Sequence, residues 1–220
     1  MTTWISIEGI NGVGKTHFAR LLARRLADQC KLLEELTDTS DPTASRVISA
    51  MATAGDPFLL RTGHPLTETF AFSALKVREY ERVMAMPQQP AVVIEDRGLD
   101  TIAVYQAVIL AGSGAPLQKL HALAGDILQI GARWRQHPDL TVLLTADLDV
   151  CIGRYVERTG VPVTESDRHL LARVDQLYRS RAAADGRWWE CPVSGRSDVQ
   201  VLDDLQAACG RLLTAPAWAG

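Results

Sequence analysis

The chain has 220 residues, 47% of them hydrophobic and 22% charged, a composition that suits a globular protein whose core is large enough to need no disulfide or metal staple. A formal net charge of −3 gives no general pull toward nucleic acid, and the four scattered cysteines (Cys30, Cys151, Cys191, Cys209) form no C-x-x-C pair that would point to zinc. No apolar run approaches the ~18 residues that span a membrane, and "MTTW" lacks a signal-peptide pattern, so a cytoplasmic protein with no membrane contact is expected.

Trp4, Ile5 and Ile7 predict a first strand over residues 3–8; "GINGVGKT" follows it, and Phe18, Leu21, Leu22 and Leu26 then recur at helical spacing, predicting a helix over 15–29. A G-x-x-x-x-G-K-[ST] octet between a strand and a helix can turn successive backbone N–H groups inward around a phosphate, with the helix dipole aimed at the same point. Gly9, Asn11, Gly12, Val13 and Gly14 would form this loop for ATP. Lys15 would reach the terminal phosphates as a point charge, and the Thr16 hydroxyl would sit on Mg²⁺, a cation that prefers oxygen ligands.

Further strands are predicted over 31–36 ("KLLEEL"), 91–95 ("AVVIE"), 140–145 ("LTVLLT") and 187–193 ("RWWECPV"), and helices over about 43–54, 66–86, 100–112, 116–135, 147–158, 166–184 and 199–213. Short apolar strands alternating with longer helical patterns predict an α/β fold, a parallel sheet flanked by helices on both faces, in a single domain over 1–220. The third strand runs into Asp96, which puts a carboxylate at the ligand-binding edge of such a sheet, able to hold a Mg²⁺ shell through water. Arg97 beside it has the planar fork that grips a phosphate. After the fourth strand, Asp147 suits an N-cap for a helix that turns Leu148, Ile152 and Tyr155 inward and Arg154 and Arg158 to another face.

Together, "IEGINGVGKT", "DRGLDTIAVYQ" and "HPDLTVLLTADLDVCIGRYVERTG" resemble the thymidylate kinase family of nucleoside-monophosphate kinases over most of the chain. The resemblance implies a five-stranded parallel sheet of the P-loop kinase type, a lid at about 154–168, and a homodimer. It implies ATP- and Mg²⁺-dependent phosphoryl transfer to a nucleoside monophosphate, dTMP or a related or modified pyrimidine nucleotide, giving the diphosphate. By the same resemblance Phe72 would stack on the base, Lys76 would meet its carbonyl, Arg97 would take the acceptor phosphate, and Thr101, Tyr105 and Gln106 would complete the acceptor site. Arg154 would stack on adenine and Arg158 would bring charge from the lid, so that Lys15, Asp96, Arg97 and Arg158 form the catalytic set.

Three places depart from the family pattern: Asn11 replaces an acidic residue near the sugar, Gly98 replaces an aromatic or histidine and would leave room or backbone freedom, and "DTSDPTASRV" replaces R-E-P-G-G-T, leaving Arg46 as a substitute phosphate ligand. They cluster around the acceptor, which predicts a standard donor site and an unusual or modified acceptor. Two other readings stay open: a kinase of an unphosphorylated nucleoside or small metabolite, and a nucleotide-binding regulatory module without kinase activity.

Overall fold

The computed structural model describes residues 2–56 and 58–214. Among the described residues five strands, β1 (Thr3–Glu8), β2 (Cys30–Leu33), β3 (Val92–Asp96), β4 (Leu140–Thr145) and β5 (Trp188–Pro192), form one parallel sheet in the order β2-β3-β1-β4-β5. The helices are α1 (Lys15–Leu26), α2 (Pro42–Ala54), α3 (Pro65–Met84), α4 (Leu99–Ala111), α5 (Leu117–Ala132), α6 (Leu148–Thr159), α7 (Glu165–Ala184) and α8 (Asp198–Thr214). None is long and apolar enough to cross a membrane.

The central position of β1, paired with β3 on one side and β4 on the other, explains its sequence. Both faces are covered, so Trp4 to Glu8 are all buried and the strand reads as a nearly continuous apolar run. α4 packs against α3, α5 and α7 and buries most of its circumference, which is why its apolar residues show little periodicity. The connection from β1 to β2 runs one way along the sheet and the later connections run the other way. Right-handed crossovers then place α1, which packs on α8, on the face opposite α4. The chain therefore leaves the neighbouring strands β1 and β3 in opposite directions, opening a crevice at their carboxyl ends.

The predicted elements are all present; several boundaries move, α5 for instance ending at Ala132 rather than residue 135, and two of the shifts have a visible physical reason. β2 ends at Leu33 rather than residue 36: it is an edge strand, and Glu34 and Glu35 turn away from it toward cationic partners. α1 stops at Leu26, where Ala27 takes a φ of 49° and a single 3₁₀ turn, Ala27–Gln29, follows. Trp188 joins the core against Tyr178.

Candidate active site

Gly9, Gly12 and Gly14 all take left-handed φ values, which lets the loop after β1 coil over the start of α1. Gly12 is the tightest point: a Cβ there would lie 1.9 Å from the Cys151 carbonyl oxygen, so the loop rests directly on the backbone of α6. Val13 is fully buried and its N–H donates to the Ile10 carbonyl at 3.3 Å. Lys15 opens α1, among the unpaired N–H groups of the first turn, and its Nζ donates to the Ile10 carbonyl at 2.7 Å. Burial, then repulsion from Arg97, push its pKa down to about 7. The charges of Glu35, Asp96 and Glu8 oppose that shift without overcoming it, and a polyphosphate would add the negative charge that does.

Asp96 ends β3 across from Ile7 of β1. Both its carboxylate oxygens are buried and accept no hydrogen bond. Burial, then the charge of Glu35, push its pKa up, against the pull of Arg97, the adjacent Thr16 hydroxyl and Lys15. Such a group calls for a cation. Hydrated Mg²⁺ fits, since it is usually held by one or two carboxylates and substrate phosphates. Among the described residues no group of three or more His, Cys, Asp and Glu side chains offers an alternative all-protein cage.

Arg97 takes a φ of 71°, a left-handed conformation that is strained for a residue with a side chain, and its N–H donates to the Ile7 carbonyl at 3.2 Å. This turn sends the guanidinium back over the loop, where it donates to Asn11 Oδ1 at 3.0 Å and lies with Nε 2.6 Å from Glu35 Oε1. The Tyr105 hydroxyl donates to the same Asn11 oxygen at 2.8 Å. Burial, ahead of the opposing pull of Arg97, lifts the pKa of Tyr105 to about 12, so it remains a donor. Asn11 thus ties the phosphate loop to α4 through its side chain.

All six expected acceptor residues, Phe72, Lys76, Arg97, Thr101, Tyr105 and Gln106, line one cavity, which Asn11 and Glu35 also border. Apolar Ile48, Phe58, Ile102 and Ile109 complete much of its wall. Three of the six, Lys76, Thr101 and Gln106, have polar atoms engaged elsewhere. The Lys76 ammonium lies 2.7 Å from Glu79, which with Glu95 keeps it charged although burial opposes that. The Thr101 hydroxyl donates to Glu8, and the Tyr178 hydroxyl lies 3.0 Å from Glu8 and 3.1 Å from Thr101. Gln106 is buried beside the Thr69 hydroxyl at 3.1 Å.

Gly98 also borders this cavity, but its missing side chain is not what opens it: a Cβ there would point at β1, 2.5 Å from Ser6 Oγ and 3.3 Å from Glu8 Oε1, and its N–H donates to Glu8 at 2.8 Å. The absent side chain admits β1, and its φ of −94° needs no special freedom. Glu8, Glu35 and Tyr178 are site residues that sequence reasoning missed. Glu8 had a signal, a carboxylate at the carboxyl end of an apolar strand; Glu35 lies past the end of β2, inside the stretch predicted as strand, and Tyr178 lies 170 positions from its partner Glu8, so neither had one.

The expected lid, about 154–168, is mostly helix. α6 continues to Thr159, Gly160 ends it with an N–H to Val156 at 2.8 Å, and α7 begins with a capping box between Thr164 and Asp167. Asp147 caps α6 as expected, accepting from Asp149 and Val150 N–H groups. Arg154 and Arg158 are both exposed on α6, and the Arg158 guanidinium lies 5.9 Å from the Tyr155 ring centre, close enough to the cavity to help keep Glu35 charged. Arg46 is exposed on α2, and Arg168 is paired with Asp149. Arg61, another residue not anticipated, bridges Asp56 at 2.6 Å and Asp167 at 2.7 Å, fastening the loop before α3 to the start of α7.

A family model described as thymidylate kinase matches residues 7–201. The chain is 29% identical over 197 residues to the thymidylate kinase of Thermomicrobium roseum, covering 86% of this chain and 85% of that protein. It is 28% identical over 219 residues to the thymidylate kinase of Cereibacter sphaeroides, covering 95% and 93%, and 31% identical over 186 residues to the probable thymidylate kinase of Methanocorpusculum labreanum, covering 82% and 84%.

Proposed function

Because the chain belongs to the thymidylate kinase family, we propose that it transfers the γ-phosphoryl group of ATP to dTMP, giving dTDP and ADP. The observation that carries this reading is the corner where the phosphate loop meets the cavity: Asn11 joins Arg97 to Tyr105, so a donor phosphate on Lys15 and an acceptor phosphate on Arg97 would face each other. Phosphoryl transfer needs alignment and charge stabilisation rather than a covalent intermediate. Lys15 and the loop amides hold the donor, Arg97 holds the acceptor phosphate, and Arg158 adds charge from α6. Phe72 and Lys76 receive the base, while Thr101, Tyr105 and Gln106 shape the rest of the acceptor site. Arg154 borders adenine. Thr16 and, through water, Asp96 hold Mg²⁺, which when bound neutralises charge on the phosphates.

The reading includes small-molecule partners rather than nucleic acid, a homodimer, and a cytoplasmic location. Exposed apolar side chains on α3 (Leu66, Phe70), on α5 (Ile130) and in the turn just after α5 (Trp134) support self-association, and four free cysteines suit a reducing compartment. The test is coupled ADP release with ATP and Mg²⁺ against dTMP, dUMP, a 5-substituted dUMP, CMP, thymidine and no acceptor. Release that depends on dTMP and disappears in Lys15→Ala supports the reading. Release with thymidine alone would make the protein a nucleoside kinase, and release dominated by the 5-substituted nucleotide would move the acceptor to a modified pyrimidine.

A further inference from the structure

Glu35 stands where the site gathers its positive charge. It lies on the loop between β2 and α2, at the head of the single helical turn Leu36–Asp38, and borders the acceptor cavity. Burial pulls its pKa up, yet Arg97, Lys15, Arg158 and Lys76 together outweigh that and hold the carboxyl below its usual range. It is therefore an ionised side chain set among the cations assigned above to two phosphates and a base.

Its contact with Arg97 is close but loosely made. Glu35 Oε1 is 2.6 Å from Arg97 Nε, yet that N–H is buried without a hydrogen-bond acceptor, so the two groups meet by charge and without the aligned fork of a strong arginine–carboxylate pair. The Glu35 side chain is also 22% exposed and sits on a loop rather than on a strand or long helix. The Asn11 contact to Arg97, by contrast, is a formed hydrogen bond.

We propose that Glu35 is a displaceable stand-in for the acceptor phosphate. It neutralises Arg97 while the cavity is empty and is pushed aside only by an anion that the cavity also holds through its base. Free phosphate, with no base to anchor it, meets an arginine already paired; a nucleoside monophosphate gains enough from the cavity to displace the carboxylate. Glu35 thus weakens every phosphate on Arg97 alike, setting a threshold that a phosphate anchored through its base clears and a loose one does not. The inference rests on the reading of Arg97 as the acceptor-phosphate ligand.

The test is calorimetric binding of dTMP, thymidine and inorganic phosphate to the wild-type protein, Glu35→Gln and Glu35→Asp, with the Mg²⁺ dependence of turnover measured alongside. In Glu35→Gln, dTMP and inorganic phosphate should each bind on the order of tenfold more tightly, the size expected when one nearby like charge is removed from a partly solvated site. Thymidine should be unchanged, and Glu35→Asp should stay near wild type. Weaker or unchanged dTMP and phosphate binding in Glu35→Gln, an equal gain for thymidine, or a raised Mg²⁺ requirement would each overturn the proposal. Should no protein bind dTMP while phosphate still tightens in Glu35→Gln, Glu35 still stands in for a phosphate on Arg97 and only dTMP as its carrier fails.

Discussion

Both oxygens of Asp96 are buried without a well-formed hydrogen bond, and burial outweighs the pull of Arg97, Thr16 and Lys15 on its charge. Replacing Asp96 by Asn should raise the stability of the ligand-free protein by roughly 1–3 kcal/mol, because an amide is less costly to bury than a carboxylate, while abolishing Mg²⁺-dependent turnover. Thermal unfolding without nucleotide and an activity assay check both halves; lower stability with activity retained would remove Asp96 from the metal site. Lys15 supplies a second prediction. Its pKa falls from an ordinary 10.5 to about 7 in the folded empty site, so the penalty for holding it grows as pH drops through that window and is constant below it. A bound polyphosphate restores the charged form. ATP binding at pH 8 should therefore take up protons, giving a calorimetric heat that depends on the buffer's ionisation enthalpy, and the dependence should vanish in Lys15→Met. Equal heats in all buffers would contradict it.

Two junctions between elements set the geometry of the site. At the first, Gly12 of the phosphate loop touches α6, which also carries Arg154 and Arg158. At the second, the turn from β3 to α4 places Arg97 at a φ of 71° and packs Gly98 against Ser6 and Glu8 of β1. Gly98→Ala should destabilise the fold by about 1–3 kcal/mol through overpacking of a buried, hydrogen-bonded pair, seen as a lower unfolding temperature. An unchanged unfolding temperature would mean that β1 and α4 part easily. At this scale the sequence is legible where the chemistry is local. A strand, a glycine-rich loop and a helix occupy residues 3–26 without interruption, and Asp96 follows a run of branched apolar residues. The Asn11–Tyr105 and Glu8–Tyr178 contacts join distant segments, and no periodicity within either segment announces them. Glu35 was hidden differently, since "KLLEEL" reads as one strand until the edge position of β2 lets its last residues turn away.

For the whole molecule, the parallel sheet was legible because buried strands and amphipathic helices alternate, and strand order follows from crossover handedness only once the pairing is known. The assembly is less legible, since an exposed apolar side chain becomes meaningful only when its position on the surface is known. Phe70 is 56% exposed and lies one helical turn from exposed Leu66 on α3. Sedimentation should find a dimer, and Phe70→Glu should shift it toward monomer without lowering the unfolding temperature much; a wild-type monomer would end that part of the account. The central claim is that donor and acceptor phosphates meet between Lys15 and Arg97. Its most direct test is the affinity of a compound joining adenosine to thymidine through a polyphosphate chain, measured in the wild-type protein, Lys15→Ala and Arg97→Ala. The account predicts binding at least ~100-fold tighter than ATP or dTMP alone, with the advantage lost in both variants. Binding no tighter than ATP alone would contradict it.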